Sequence, residues 1–276
     1  MTYVDPVAQE FASGAFYEKA GTEYYLSKAK LESDYASVRF ERELRLFRKY
    51  CSGGNVLDVG CSSGAFLFQL NQRFPGSYQV LGTDMSGPPL NYAESRGVPV
   101  LRSPFLETSF ERNQFDAVTF WAVLEHLMNP RQFLQKAVSI LKPSGFCFVL
   151  VPNARSLAIR LLQSRYRYVY EQHLNYFTRQ SLRSIIPEDF SVVQVRSTHF
   201  NPLVIWQDWR HGGREVSNSE RARLLQRTNS WKQNPLLKPA KALYSCAEAV
   251  LGRMNLADNL VLVLCRRNSS ERKEDL

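Results

Sequence analysis

The sequence predicts an α/β chain: a doubly wound, seven-stranded, mostly parallel sheet with helices on both faces, an N-terminal helical extension and a helical insert before the last strand. Three observations predict it. Short apolar runs with little polar alternation recur at 55–60, 78–84, 115–123 and 145–153, the pattern of strands covered on both faces. Stretches of helical spacing separate them. A longer stretch, 199–258, then parts two further apolar runs, 190–198 and 259–267.

Each element follows in order. Residues 24–50 hold no proline or glycine and place Tyr35, Val38, Leu46 and Tyr50 among charges, which predicts one or two amphipathic helices. The strand at 55–60 leads through a loop into a helix over "AFLFQLNQRF". "YQVLGTD" is the second strand, and "PPLNYAESRG" a helix that opens on proline and stops at Gly97. "VPVLRS" is a short third strand. "FDAVTFWAV" is the fourth, followed by a helix from Asn129-Pro130, and "GFCFVLVPN" the fifth. Thr178 caps a short helix, "TRQSLRSII". In the insert, a lid or substrate region, Leu236, Ala240, Leu243, Ala247, Val250 and Met254 form one apolar stripe opposite Lys238, Lys241 and Glu248, expected to pack on the core, with a lid or membrane-contacting helix as the alternative.

The organisation is therefore an extension over 1–50, a core over 51–198 and 259–268, an insert over 199–258 and a disordered tail over 269–276. The 276 residues are 44% apolar and 22% charged, an ordinary globular balance. Cys51, Cys61, Cys147, Cys246 and Cys265 form no C-x-x-C pair, so neither a metal nor a disulfide framework is expected. The N-terminus lacks the basic start and apolar centre of a secretory signal, and the expected setting is a reducing cytoplasm. Residues 1–150 hold 15 basic and 15 acidic side chains, whereas 151–276 hold 20 and 11. That excess fits either a phosphate-bearing partner or anionic lipid surface, giving peripheral membrane contact, or a solvated basic face.

The stretch "VLDVGCSSG" carries the chemistry. A strand that ends in a glycine-containing turn before a helix is where open α/β sheets bind ligands. Gly60 and Gly64 let the backbone approach a ligand, but the G-x-G-x-x-G spacing of a dinucleotide site is missing. Asp58 at the strand end would repel a pyrophosphate and attract a cation. Asp84, at the end of the second strand, stands where a carboxylate takes ribose hydroxyls. A ligand with a ribose, a cationic end and no diphosphate is S-adenosyl-L-methionine.

"VLDVGCSSG", "LGTDMS", "FDAVTFWAVLEHLMNP", "LKPSGFCFVLVPN" and "EQHLNYFTRQSLRSII" resemble the successive motifs of class I S-adenosylmethionine-dependent methyltransferases, which have Rossmann-like folds. The branch is that of the ubiquinone-biosynthesis O-methyltransferase and related small-molecule and glycan methyltransferases. The resemblance covers roughly 40–200 and the closing "DNLVLVLCRR". It implies that Asp58 and Gly60, with Cys61, Ser62 and Gly64 in the same loop, hold the methionine end. It further implies that Asp84 holds the ribose, Met85 packs on the adenine, and Trp121 lies beside the methionine or sulfonium. Ser62 replaces the second glycine of the family's G-x-G, which predicts a small change in loop geometry. "RSPFLE" lacks the aspartate that meets the adenine amino group, leaving Phe105 as the candidate there.

A hydroxyl acceptor needs a base, and two histidines fall in strand-end loops on the acceptor side: His173 first, then His126. Arg155, Arg160, Arg165 and Arg167, interleaved with Tyr166, Tyr168 and Tyr170, fit either a grip on a phosphorylated or nucleotide-linked sugar or a carboxylated aromatic, or a solvated helix surface that needs no ligand; Arg167, Tyr170 and Tyr176 are the candidates for the contact. The expected partner is a small molecule, a glycan precursor, quinone-like compound or other secondary metabolite. RNA or protein methylation and a non-catalytic cofactor-binding role are the alternatives. No nucleic-acid-binding module is recognisable.

Overall fold

A computed structural model describes residues 2–3, 24–211, 223–224, 226–228, 230 and 238–268. Its centre is a seven-stranded sheet. In chain order the elements are β1 (Thr2–Tyr3), α1 (Lys28–Asp34), α2 (Glu41–Tyr50), β2 (Gly54–Val59), α3 (Ala65–Arg73), β3 (Tyr78–Thr83), α4 (Gly87–Ser95) and β4 (Val100–Leu101). They continue with β5 (Phe115–Trp121), a 3-10 turn (Leu124–His126), α5 (Pro130–Ile140), β6 (Leu141–Pro152), α6 (Leu157–Leu162), a second 3-10 turn (Gln163–Arg165), β7 (Asn175–Tyr176) and α7 (Arg179–Ser184). Last come β8 (Phe190–Thr198), α8 (Pro202–His211), α9 (Lys238–Arg253) and β9 (Asn259–Arg266). The strand order is β4-β3-β2-β5-β6-β9-β8. β9 alone runs antiparallel to its two neighbours, β6 and β8.

Strands β2, β5, β6 and β9 are covered on both faces because they are apolar through most of their length, whereas the edge strand β8 exposes Val192 and Val193. One face packs Leu57, Val118, Phe120 and Leu262 against Leu134 of α5 and Leu182 of α7. The other packs Val56, Ala117, Phe148 and Val263 against Phe47 of α2 and Phe66 and Leu70 of α3. Local chemistry sets the helix ends. Asn129 accepts the Gln132 N–H before α5, and Thr178 and Ser181 form a reciprocal capping box at α7. Among its described residues the extension holds the helices α1 and α2, of which α2 buries Leu44, Leu46 and Phe47.

Two features depart from the sequence reading. The N-terminal dipeptide is a strand, β1, that pairs antiparallel with β7, so the extension is not wholly helical. The apolar stripe of α9 faces outward: Ala247 is exposed, Val250 is 52% exposed and Met254 62%. Leu236 and the side chains of Ala240 and Leu243 lie outside the described residues. Polar anchors turn the helix the other way. Glu248, expected on the solvent face, is buried and accepts the His199 N–H at 2.8 Å while pairing with Arg42. Gly252 brings α9 so close to β8 that an added Cβ would sit 2.8 Å from the Ser197 carbonyl oxygen. Residues 269–276, expected to be disordered, lie outside the described residues. No helix among the described residues is long and apolar enough to cross a membrane.

Candidate active site

The loop after β2 is built by three positive φ angles, at Gly60 (73°), Ser62 (50°) and Gly64 (75°). Gly60 has no alternative, since an added Cβ would lie 2.6 Å from Val123 Cγ2. Ser62 takes the same left-handed conformation with a side chain, at a cost of about 1–2 kcal/mol, and its N–H donates to Asp84 Oδ2 at 2.8 Å. Asp84 Oδ1 accepts the Ser86 N–H at 3.0 Å. The ribose candidate therefore also fixes the loop between the ends of two parallel strands. Met85 beside it is 52% exposed.

Asp58 stands one residue before the end of β2 and is buried. The Thr119 hydroxyl of β5 donates to its Oδ1 at 2.6 Å. Burial pushes its carboxyl up to about 7, with the Thr119 hydrogen bond opposing and the Asp84 charge adding to the rise. A buried carboxyl held near neutrality at a strand end suits a cationic ligand, whose arrival favours the ionised form. Cys61 contributes its backbone only: its thiol lies against β3, where Gly82 leaves it room, an added Cβ there falling 2.5 Å from Sγ.

Two candidates, Phe105 and Arg167, lie elsewhere than expected, while Trp121 ends β5. Phe105 is buried in an aromatic cluster with Phe110, Phe120 and Phe133, the last stacked at 5.6 Å, so its ring belongs to the core. Trp121 packs on Phe66 at 5.2 Å and Phe148 at 6.2 Å, with its indole N–H buried and without a hydrogen-bond partner. Arg167 is not open to an acceptor. Its Nε lies 2.9 and 3.1 Å from the two Asp208 oxygens and its backbone N–H donates to the same carboxylate, a buried pair that ties the segment to α8. Arg155, Arg160 and Arg165 are exposed.

His126 and His173, distant in sequence, meet edge to face with ring centroids 4.8 Å apart. His126 Nδ1 donates to the Gln172 carbonyl at 2.8 Å, and His173 Nδ1 to the Tyr168 carbonyl at 2.9 Å. A carbonyl only accepts, so both protons sit on Nδ1 and both basic lone pairs on Nε2. Burial lowers His126 to about 4, against the raising effect of its backbone hydrogen bond. Tyr170 packs on His173 at 4.3 Å, and the Tyr176 hydroxyl closes the loop by donating to the Tyr170 carbonyl and accepting its N–H.

Two residues escaped the sequence reading. Glu125, buried beside both histidines, is pushed up to about 8 by burial. Its signal was its place in "LEH", directly before His126. Tyr35, the residue that caps the end of α1, donates its hydroxyl to the Ser63 carbonyl at 2.5 Å, so the extension touches the loop. No local pattern reveals that contact.

Residues 34–193 match the model of a family described as "Methyltransferase domain". Over 171 residues, 55% of this chain, the sequence is 28% identical to a ubiquinone biosynthesis O-methyltransferase of Glaesserella parasuis, of which the match covers 71%. It is 31% identical over 141 residues, 48% of this chain, to the Bradyrhizobium diazoefficiens protein of the same description, of which the match covers 54%. The fold is similar to that of a Thermotoga maritima SAM-dependent methyltransferase, with a TM-score of 0.58 and 16% identity over 92% of this chain and 99% of that one. With more than half of its length matched to that model, over the residues that build the loop, strands β2 to β6 and the histidine pair, the chain belongs to the methyltransferase domain family.

Proposed function

We propose that the chain transfers a methyl group from S-adenosylmethionine to a small-molecule acceptor, with a hydroxyl as the accepting group. The single observation that carries this is the buried Asp58 carboxyl at the tip of β2, directly before a left-handed loop pinned by Asp84. The residues present fit the cofactor. Asp58 offers a charge partner to its ammonium, Asp84 acceptors to its ribose, and Gly60 a position without a side chain. When bound, the cofactor supplies an activated methyl on a sulfonium.

The chain's own residues then position the reactants, which is most of the catalysis in an in-line displacement. His173 and His126, with Nε2 as the basic nitrogen, act on the acceptor hydroxyl. The loop closed by Tyr176 holds His173 in place. The relatives' description as O-methyltransferases supports the hydroxyl reading.

Calorimetry with S-adenosylhomocysteine tests the cofactor assignment, with NAD as the comparison. Saturable binding of the first and none of the second is expected; the reverse overturns the reading. Asp58→Asn and Gly60→Ala should each weaken S-adenosylhomocysteine binding by more than tenfold in folded protein. Once an acceptor is identified, His173→Ala should lower turnover with cofactor affinity nearly intact, and unchanged turnover removes His173 from the reaction.

A further inference from the structure

We propose that Asn175 is a positioning residue, whose carboxamide seats the turn that carries His126 against the loop that carries His173. The two histidines are 47 residues apart in the chain, one in the 3-10 turn after β5 and the other just before β7. Their rings nevertheless lie 4.8 Å apart, edge to face. Contacts between the two loops have to set that separation.

Asn175 makes such a contact from one side. It is 7% exposed, and its Nδ2 donates to the Leu127 carbonyl at 2.7 Å and to the Leu124 carbonyl at 3.4 Å. Those carbonyls bracket Glu125 and His126, so one carboxamide grips the turn at both ends. Both of its amide protons are spent there. The return contact comes from His126, whose Nδ1–H reaches the Gln172 carbonyl at 2.8 Å. Two bonds thus run between the same loops in opposite directions, and together they fix the tilt of the imidazole as well as its distance.

The arm is anchored at its base. Asn175 pairs with Tyr3 of β1, and Phe177 bridges to Asn153 just past β6, its carbonyl accepting the Ala154 N–H at 2.8 Å. A short side chain on backbone held from two directions has few rotamers to sample, so the turn follows it. For its effect on the reaction the inference rests on the proposed function: misplacing a reacting group by about 1 Å costs about 100-fold in rate. The seating of His126 does not depend on that reading.

Nitrogen-15 NMR of the histidine side chains in the full chain tests the seating without any acceptor, with His199 as the internal control. In the unaltered chain His126 and His173 should each be a single Nδ1–H tautomer, and the Asn175 side-chain amide protons should exchange slowly. Asn175→Ala and Asn175→Ser, which remove the amide donor, should mix the His126 tautomers and speed exchange of its Nδ1 proton at least tenfold, with His199 unchanged. Where a hydroxyl compound is methylated, kcat should fall at least tenfold in either variant while affinity for S-adenosylhomocysteine stays within twofold. An unmoved His126 in either folded variant overturns the proposal. Should neither variant fold, the unaltered chain decides: Asn175 amide protons that exchange as fast as those of an exposed asparagine overturn it equally. Calorimetry with S-adenosylhomocysteine on the same samples separates the two readings. Cofactor binding with an unmoved His126 removes only Asn175; a disturbed His126 in a chain that ignores the cofactor removes only the methyl-transfer assignment.

Discussion

The burial that pushes Asp58 up to about 7 has a consequence for ligand binding. A cationic ammonium favours the ionised carboxylate, so below that pH the protein must release a proton to bind. Affinity for S-adenosylhomocysteine should rise with pH, by up to about tenfold per unit, and level off above about 7. Calorimetry in two buffers of different ionisation enthalpy should show the released proton near pH 6. Asp58→Asn should bind weakly with a flat profile, and a flat profile in the unaltered chain would remove Asp58 from the cofactor contact. That Asp58, Gly60 and Asp84 gather at one strand-end loop was legible because a strand-end carboxylate and a glycine turn are local features. The fate of Arg167 was not. Its Asp208 partner lies on a helix that only the folded chain brings alongside.

At the scale of elements, the Arg167–Asp208 pair fastens the segment after β6 to α8, and with it the loop that carries His173. Both side chains are nearly out of water, at 6% and 2% exposure. Removing one charge strands the other, which typically costs about 3–5 kcal/mol. Asp208→Asn should therefore lower thermal stability by an amount of that order, while Arg160→Ala, at an exposed position, should leave it within about 0.5 kcal/mol. Equal stability of Asp208→Asn and the unaltered chain, measured by denaturant titration, would show that the pair is not a structural clamp. The central strands of the sheet were readable because nearly uninterrupted apolar runs leave them no solvent face. The facing of α9 was not readable from periodicity. Its apolar stripe had the right spacing, but Glu248 and Gly252 meet β8 and the residues after it, and those contacts set the rotation.

On the scale of the whole molecule, the extension is bound to the far side of the sequence by ionic contacts. Glu43 of α2 meets His199 Nε2 at 3.1 Å, and Arg42 pairs with Glu248 of α9. Burial alone would raise the Glu43 carboxyl; the charge and hydrogen bond of His199, with Arg39 nearby, overcome it and hold Glu43 at about 2 against its ordinary 4.5. A carboxyl depressed in the folded state stabilises the fold above its ordinary value and loses that contribution as pH falls toward the depressed one. The window is therefore pH 4.5 down to about 2, and linkage limits the contribution to about 3 kcal/mol. Acid titration of stability should show a fall across that window that Glu43→Gln flattens, with the variant already less stable at neutral pH. Tyr35 rides on the same extension and holds the Ser63 carbonyl in the loop after β2, the proposed cofactor loop. Loosening Glu43 should thus weaken S-adenosylhomocysteine binding without touching a cofactor contact. Unchanged binding in a destabilised Glu43→Gln would mean that the loop keeps its shape without the extension.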